Sequence, residues 1–513
     1  MERKQIGIVA SRLMGADSIG MESQKWIDKL LEMGYNPHLI CGKLEESSNL
    51  PNIEIPELDY KHSEIRAIKR MAFESPLDKA GQKAFYILLD NMVKRIRKPL
   101  KSYLEQNKIS YLLVEDALSC GRNLPMTLAL NKIITELKLP TLGKHYKPFW
   151  EINYFTKHAN IPKIINQLPS NSKKITHITN SEHISQGLTK KSKLPSKVIP
   201  HLINFNSLRK KDDYNKDFRK DFGITDDQIV ILQPTKISRV KGMEKSVKLL
   251  SEINKATKKD NVLIITGPPV YHRGNYFEEI INKINKLGVK VIFAHDKIFL
   301  RRHVKNQKKY YSIGDAYVNS DIISFPSTGP SFGNPVLEAM AYKKPIFVND
   351  YQNLKNFLDK GAKLIVTNQA ISQENVSDVC ELIFDEKKRK EIVNHNFKLV
   401  KKHYDIKQLN DTIKEIIQSY ETESAFTWLT RQAKKVTKIS DRISETIIPD
   451  FMKSGKPVNN KSRQAHNKAR TTDSNSIKKS QKRKTKKEIP SILNEYEKLS
   501  QENEPKKRGD TKT

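Results

Sequence analysis

The chain has 513 residues, 92 Lys and Arg against 58 Asp and Glu, a formal net charge of +34 and a hydrophobic fraction of 37%. That length allows two or three domains with real cores, and the charge favours anionic partners (phosphates, an acidic membrane surface or nucleic acid), although a proteome that writes lysine wherever the surface permits gives the same excess. Cys41, Cys120 and Cys380 are odd in number and far apart, which argues against a disulfide framework or a zinc site. No signal-peptide core precedes QIGIVA and no window of about 18 residues is apolar throughout, so a cytoplasmic protein without a spanning helix is expected.

Short apolar runs alternate with helical patterns through the first four hundred residues. Strands are expected at 5–10, 37–41, 110–115, 176–179 and 196–200, then at 228–234, 261–267, 289–294, 321–326, 345–349 and 362–367. Helical patterns such as MESQKWIDKLLEMG (21–34) and NYFEEIINKINKLG (275–288) lie between them. Strand–helix alternation implies parallel sheets covered on both faces, an α/β class. The alternation pauses over the polar stretch 204–224, which divides two doubly wound domains, 1–205 and 206–407, with a ligand cleft between their strand C-termini. Residues 408–422 form a helix expected to return to the first domain. A basic amphipathic segment follows at 423–452, with Phe426, Trp428, Leu429, Val436 and Ile439. Residues 453–513 carry 18 Lys and Arg against 7 Asp and Glu with few apolar side chains, and are expected to be disordered. Together 423–513 have the two parts of an anchor on anionic membrane, apolar insertion and electrostatic attraction; a packed helix with a solvated tail fits the same composition.

Four runs carry candidate chemistry. In DIISFPSTGPSFGNPVLEAMA (321–341) a strand ends near Phe325 and a helix opens at Asn334–Pro335. The N–H groups of that helix start suit a phosphate, and Glu338, placed on the first turn, suits sugar hydroxyls. In LQPTKISRVKG (232–242), Lys236, Arg239 and Lys241 follow a strand end, where cations can stabilise a departing diphosphate without a metal; a solvated basic loop reads the same way. In LPTLGKHYKPFWEINYF (139–155) a strand runs into a loop with His145, Tyr146, Phe149, Trp150 and Glu151; most lone histidines are structural, but one among aromatics at a strand end suits a sugar site. In ASRLMGADSIGMESQKW (10–26), Gly15 and Gly20 allow close approach of a ligand, with Asp17 beside them and Glu22 opening the helix. This run lacks GxGxxG, so a nicotinamide fingerprint is absent.

Together these runs resemble the retaining glycosyltransferases of the GT-B fold, and more narrowly a sub-group linked with mannosylglucosylglycerate-type synthases. The likeness covers roughly residues 4–420. VEDALSCGRNLPMTLALNKIITELKLPTLGKHYKPFWE is similar to the sub-group's stretch from a Glu-Asn pair to a His-rich loop ending in Trp-Glu; QPTKISRVKG, KKYYSIGDAYVNSDIISFPST and SFGNPVLEAMAYKKPIFVNDY resemble its donor-domain runs. The resemblance implies transfer with retention from a nucleoside-diphosphate hexose of the GDP-mannose or UDP-glucose type. It makes Glu338 the ribose holder and places the diphosphate on the N–H groups around Gly333, Asn334, Pro335 and Val336. Lys241 is then the donor-phosphate lysine, Lys236 and Arg239 stand in the donor loop, and His145 meets the transferred sugar. The loop from Gly15 to Gly20, with Asp17 and Glu22, would border the acceptor or the phosphate, near Trp150 and Glu151.

The departures are specific. Pro330 stands where the family has the first of two glutamates, Lys236 stands at an arginine, the histidines and the acidic residue around His145 are replaced, and Asn204 replaces an aspartate. They motivate a second reading, a nucleotide-sugar-binding protein without turnover. The acceptor expected is a small anionic molecule, a glycan or a membrane lipid. No cofactor is expected beyond the donor, nor any metal, since no Asp-x-Asp stands at a strand end. A nucleic-acid role for the tail is the third reading; without an aromatic-and-basic RNA-binding signature, a nucleic-acid partner is not expected.

Overall fold

The structure is a computed structural model that describes residues 3–422, apart from 16, 75, 153–161, 166–167, 271–274 and 369. The amphipathic segment 423–452 and the tail 453–513 lie outside the described residues. Among those described, no helix is long and apolar enough to cross a membrane.

The first sheet comprises β1 (Gln5–Leu13), β2 (Asn36–Leu44), β3 (Asn52–Glu54), β4 (Tyr111–Glu115), β5 (Thr141–His145), β6 (Ile175–Thr179) and β7 (Lys197–Val198). Their order is β3-β2-β1-β4-β5-β6-β7, all parallel. Parallel strands covered on both faces need apolar side chains of both parities. In β1, Ile6, Ile8 and Ala10 enter one core while Val9 enters the other, under the helices Ser63–Phe73, Lys79–Gln106 and Leu124–Leu137.

The second sheet comprises β8 (Val230–Gln233), β9 (Val262–Ile265), β10 (Lys290–Phe293), β14 (Ile322–Phe325), β15 (Ile346–Asn349) and β16 (Ile365–Thr367), in the order β10-β9-β8-β14-β15-β16. Along the chain, between β10 and β14, comes a small sheet of β11 (Ile298–Phe299), β12 (His303–Lys305) and β13 (Lys308–Ser312). In both large sheets the order reverses beside the first strand, between β1 and β4 and between β8 and β14. The crevice at each reversal is where open α/β sheets take ligands.

Every strand expected from the sequence is present, shortened or lengthened at its ends by a few residues. β3 and the small sheet were not expected, because NIE, HVK and KKYYS are too polar and exposed to read as strands. The helix over 408–422 packs on the first sheet: the Tyr420 hydroxyl donates to the Thr141 carbonyl at 2.9 Å, and Tyr111 donates to Glu421 at 3.2 Å.

Candidate functional site

The second-domain side is built where β14 ends. Gly333 caps the helix Asn334–Ala341 at φ 109°, a left-handed conformation, and a Cβ there would collide with the Tyr351 hydroxyl. The helix starts as expected at Asn334, with Pro335 in its first turn. Two details of the expectation are corrected. Pro335 has no N–H and that of Val336 is donated to the Gly333 carbonyl at 2.9 Å, so Gly333 and Asn334 are left to face an anion. Glu338 lies in the second turn, not the first, because four residues of the helix precede it. Its carboxylate accepts the Tyr317 hydroxyl at 2.7 Å; burial raises its pKa, while Tyr317 and nearby Lys25 act the other way.

Lys236, Arg239 and Lys241 follow β8. Gly242, in a left-handed conformation against the Pro326 carbonyl, ends the short turn Arg239–Lys241. Arg239 does not serve the cleft: it is exposed, pairs with Glu279 at 2.6 and 2.9 Å, and lies over the Tyr276 ring. Lys241 stays, its ammonium 5.6 Å from the centre of the Phe325 ring. Burial lowers its pKa, and repulsion from Lys147 and Lys236 lowers it further.

On the first-domain side the loop after β1 is tight. Asp17 caps the helix Ser18–Glu32 by accepting the Gly20 N–H at 2.9 Å, and a Cβ on Gly20 would strike the Gly15 carbonyl, so this turn needs a glycine there. Glu22 lies inside the helix and is buried. Burial opposes its charge, yet Lys25, His201 and Lys144 outweigh that and bring its pKa down to about 2. Lys25 donates to Glu22 at 3.1 Å and to the Leu202 carbonyl at 2.7 Å.

His145 is corrected more fully. It is the last residue of β5 rather than part of the loop, and it is fully buried. Its Nδ1 meets the Ser119 hydroxyl at 2.7 Å and its Nε2 meets His177 Nδ1 at 2.9 Å, so both ring nitrogens are occupied. Burial, with the neighbouring His177, holds it neutral, its pKa well below the usual range. Alternation along the strand explains this, since His145 points to one face and Lys144 and Tyr146 to the other. Those two meet Glu115: Lys144 donates to Oε1 at 2.8 Å and Tyr146 to Oε2 at 2.7 Å. Tyr146 also sets its ring edge-on to His201, 5.3 Å between centroids. Trp150 lies against Gly187 of the helix Glu182–Ser192, and Glu151 pairs with His183 at 3.3 Å.

His201, which the sequence did not single out, bridges the domains. Its Nδ1 lies 2.5 Å from the Asn334 side-chain oxygen, and its buried Nε2 has no hydrogen-bond partner among the described residues. The other unforeseen feature is a small open pocket at the reversal between β1 and β4, lined by Ser11, Arg12, Asp17, Tyr60, Asp116 and Arg122 among others. Asp116 is buried at φ 49°, a conformation uncommon outside glycine. Its Oδ1 accepts the N–H groups of Tyr146 at 2.9 Å and Lys147 at 3.2 Å. Burial raises its pKa to about 6 against the opposing pull of Arg122 and those N–H groups. The signal for both lies in the strand order: their residues follow strand ends at the reversal and at the domain junction, and a linear reading does not give that order.

Comparison with known proteins agrees with this architecture. Residues 215–395 match the family "Glycosyl transferases group 1". A mannosylglucosylglycerate synthase of Petrotoga mobilis is 25% identical over 365 residues, 68% of this chain and 82% of that protein. Among solved structures, a sucrose-phosphate synthase from Thermosynechococcus elongatus superposes with a TM-score of 0.58 at 13% identity, over 82% of this chain and 100% of the other. HepE from Anabaena, solved in complex with UDP and glucose, gives 0.55 at 16% identity over 82% and 100%. The fold is therefore GT-B, two Rossmann-like domains.

Proposed function

The chain is a glycosyltransferase with a group 1 domain, and from that premise we propose that it moves a hexosyl group from a nucleoside-diphosphate sugar to an acceptor hydroxyl with retention of the anomeric configuration. The donor is of the GDP-mannose or UDP-glucose type. The observation that carries this reading is that β8 and β14 are neighbours, so that Lys236 and Lys241 just after β8 and the Gly333–Asn334 turn after β14 lie past adjacent strand ends, cations and N–H donors suited to a diphosphate. Glu338, one turn deeper, takes the ribose hydroxyls. Lysine charge does the work of a divalent ion on the leaving diphosphate, so turnover persists in a chelator.

The acceptor enters the pocket between β1 and β4, where Asp116 and Arg122 offer one carboxylate and one guanidinium. This suits a polyhydroxylated acceptor with an acidic group, such as a glycerate derivative; a glycan or a lipid head group shares that chemistry. Retention needs no carboxylate pair flanking the sugar, because the departing diphosphate lies beside the incoming hydroxyl. Pro330 favours a second reading, binding without turnover, because it puts neither carboxylate nor N–H at the sugar end. Purified protein offered UDP- and GDP-linked hexoses, with sugar release and thermal shift followed together, tests both. Hydrolysis or transfer from one donor supports the first, stabilisation by nucleotides without sugar release under any acceptor supports the second, and silence from every donor contradicts both.

A further inference from the structure

The chain leaves the first domain through His201 and the residues just after it. Their backbone is held on two sides. The Leu202 carbonyl accepts Lys25 of the helix Ser18–Glu32 at 2.7 Å. Ile203 pairs with the returning chain, its N–H on the Tyr404 carbonyl at 2.7 Å and its carbonyl accepting the Ile406 N–H at 2.9 Å. From this fixed base the His201 side chain reaches across the junction. Its Nδ1 meets the Oδ1 of Asn334 at 2.5 Å, at the first residue of the helix that follows β14. Its ring lies against Phe332 of the second domain, 4.9 Å between centroids, and against the edge-on ring of Tyr146 of the first. Tyr146 in turn donates its N–H to Asp116 Oδ1 at 2.9 Å. A continuous run of contacts, from Asp116 through Tyr146 and His201 to Asn334, therefore joins the pocket between β1 and β4 to the crevice between β8 and β14.

The two ring nitrogens have different fates. An amide oxygen only accepts, so Nδ1 carries the proton. Burial lowers the pKa of the ring and keeps it neutral, which leaves Nε2 as a lone pair. That lone pair is buried with no donor among the described residues, a cost to the folded state. A phenylalanine would fill the same space against Phe332 and Tyr146 and leave no orphan. The nitrogen that accounts for a histidine here is Nδ1, and its partner belongs to the other domain. We propose that His201 is a positioning residue, whose bond to Asn334 fixes the helix start of the second domain relative to Tyr146 and Asp116 of the first and so holds the two crevices in alignment. Its consequence for catalysis rests on the transfer reading, in which donor and acceptor occupy the two crevices. Substrates held about 1 Å out of line react far more slowly although each still binds.

Three substitutions in the full chain separate the two nitrogens. The side-chain nitrogen of asparagine takes the place of Nδ1, that of glutamine takes the place of Nε2, and phenylalanine keeps a ring with neither. H201F is expected to melt within about 3 °C of the unaltered chain, with donor and acceptor KM within about threefold and kcat lowered at least about tenfold. H201Q should follow H201F in kcat. H201N should recover kcat to within about threefold of the unaltered chain, despite a lower melting temperature from the lost ring packing. X-ray scattering of the same proteins without ligand reads the junction itself: the radius of gyration should grow in H201F and H201Q and stay unchanged in H201N. An unaltered kcat or radius in H201F, recovery by H201Q in place of H201N, or a melting loss in H201F that accounts for its loss of activity would each overturn the proposal. If none of the proteins consumes a nucleotide sugar, the transfer reading falls and scattering decides alone. Equal radii in all four would then overturn the positioning role, and growth confined to H201F and H201Q would leave it standing.

Discussion

The two large sheets reverse their strand order at the same relative place, yet the two crevices hold opposite chemistry. Between β8 and β14 stand lysines and helix-start N–H groups with, among the described residues, no carboxylate paired to those lysines, an environment suited to a multiply charged anion. Between β1 and β4 stand carboxylates already engaged: Glu115 held by Lys144 and Tyr146, Asp116 by two backbone N–H groups, Asp17 by Gly20. The topology supplies a pair of facing ledges, and the residues just past each strand end decide which ledge takes a phosphate and which takes hydroxyls.

The comparison is broken most severely by removing charge from the second crevice. Lys241→Gln should lower donor turnover at least about hundredfold while leaving the melting temperature within a few degrees, read as kcat with the donor saturating. Unchanged turnover would mean that the second crevice is not the diphosphate site. Next comes Gly333→Ala, which meets both the positive φ and the Tyr351 hydroxyl; a loss of about 2 kcal/mol or more in unfolding free energy is expected by denaturant titration.

The first crevice is probed through Asp116. The acceptor-binding form is the carboxylate, and burial raises its pKa to about 6, so acceptor kcat/KM should fall tenfold per pH unit below about 6 and be flat above it. Asp116→Asn keeps the oxygen that accepts the Tyr146 and Lys147 N–H groups but removes the titration, so the acid limb should vanish with stability little changed. Arg122 and Glu115 act on the same carboxyl, so a charge change at either should move the limb. The smallest effect on chemistry is expected at His145. His145→Gln leaves Ser119 and His177 poorly matched in the interior at a cost of about 1–3 kcal/mol of stability, while donor and acceptor KM stay within about twofold.

The contrast between His145 and Lys241 also shows how far a linear reading reaches. The strands were legible because each is an apolar run bounded by turn residues, and the helix at Asn334 because Gly-Asn-Pro states a helix start directly. Lys241 was legible for the same reason, standing just after such a run. His145 was misplaced by one residue: with the strand ending at 145 rather than before it, parity turns the ring inward to His177, which lies 32 positions on. Arg239 reads as a cleft cation until Glu279, 40 positions away, claims it. His201 and Asp116 acquire meaning only from strand order and from the facing domain. Properties set by local pattern were readable, and those set by which side chains meet were not.

The most direct test of glycosyl transfer is product analysis. The protein is incubated with an α-linked UDP- or GDP-hexose and a set of glycerate-bearing, sugar and lipid-head-group acceptors, and the product anomer is read by NMR alongside release of nucleoside diphosphate. One donor consumed, one nucleoside diphosphate released per glycosylated product and an α linkage are expected. A β-linked product would contradict retention, and failure of every donor to be consumed under any acceptor would contradict the assignment of a working transferase site to this cleft.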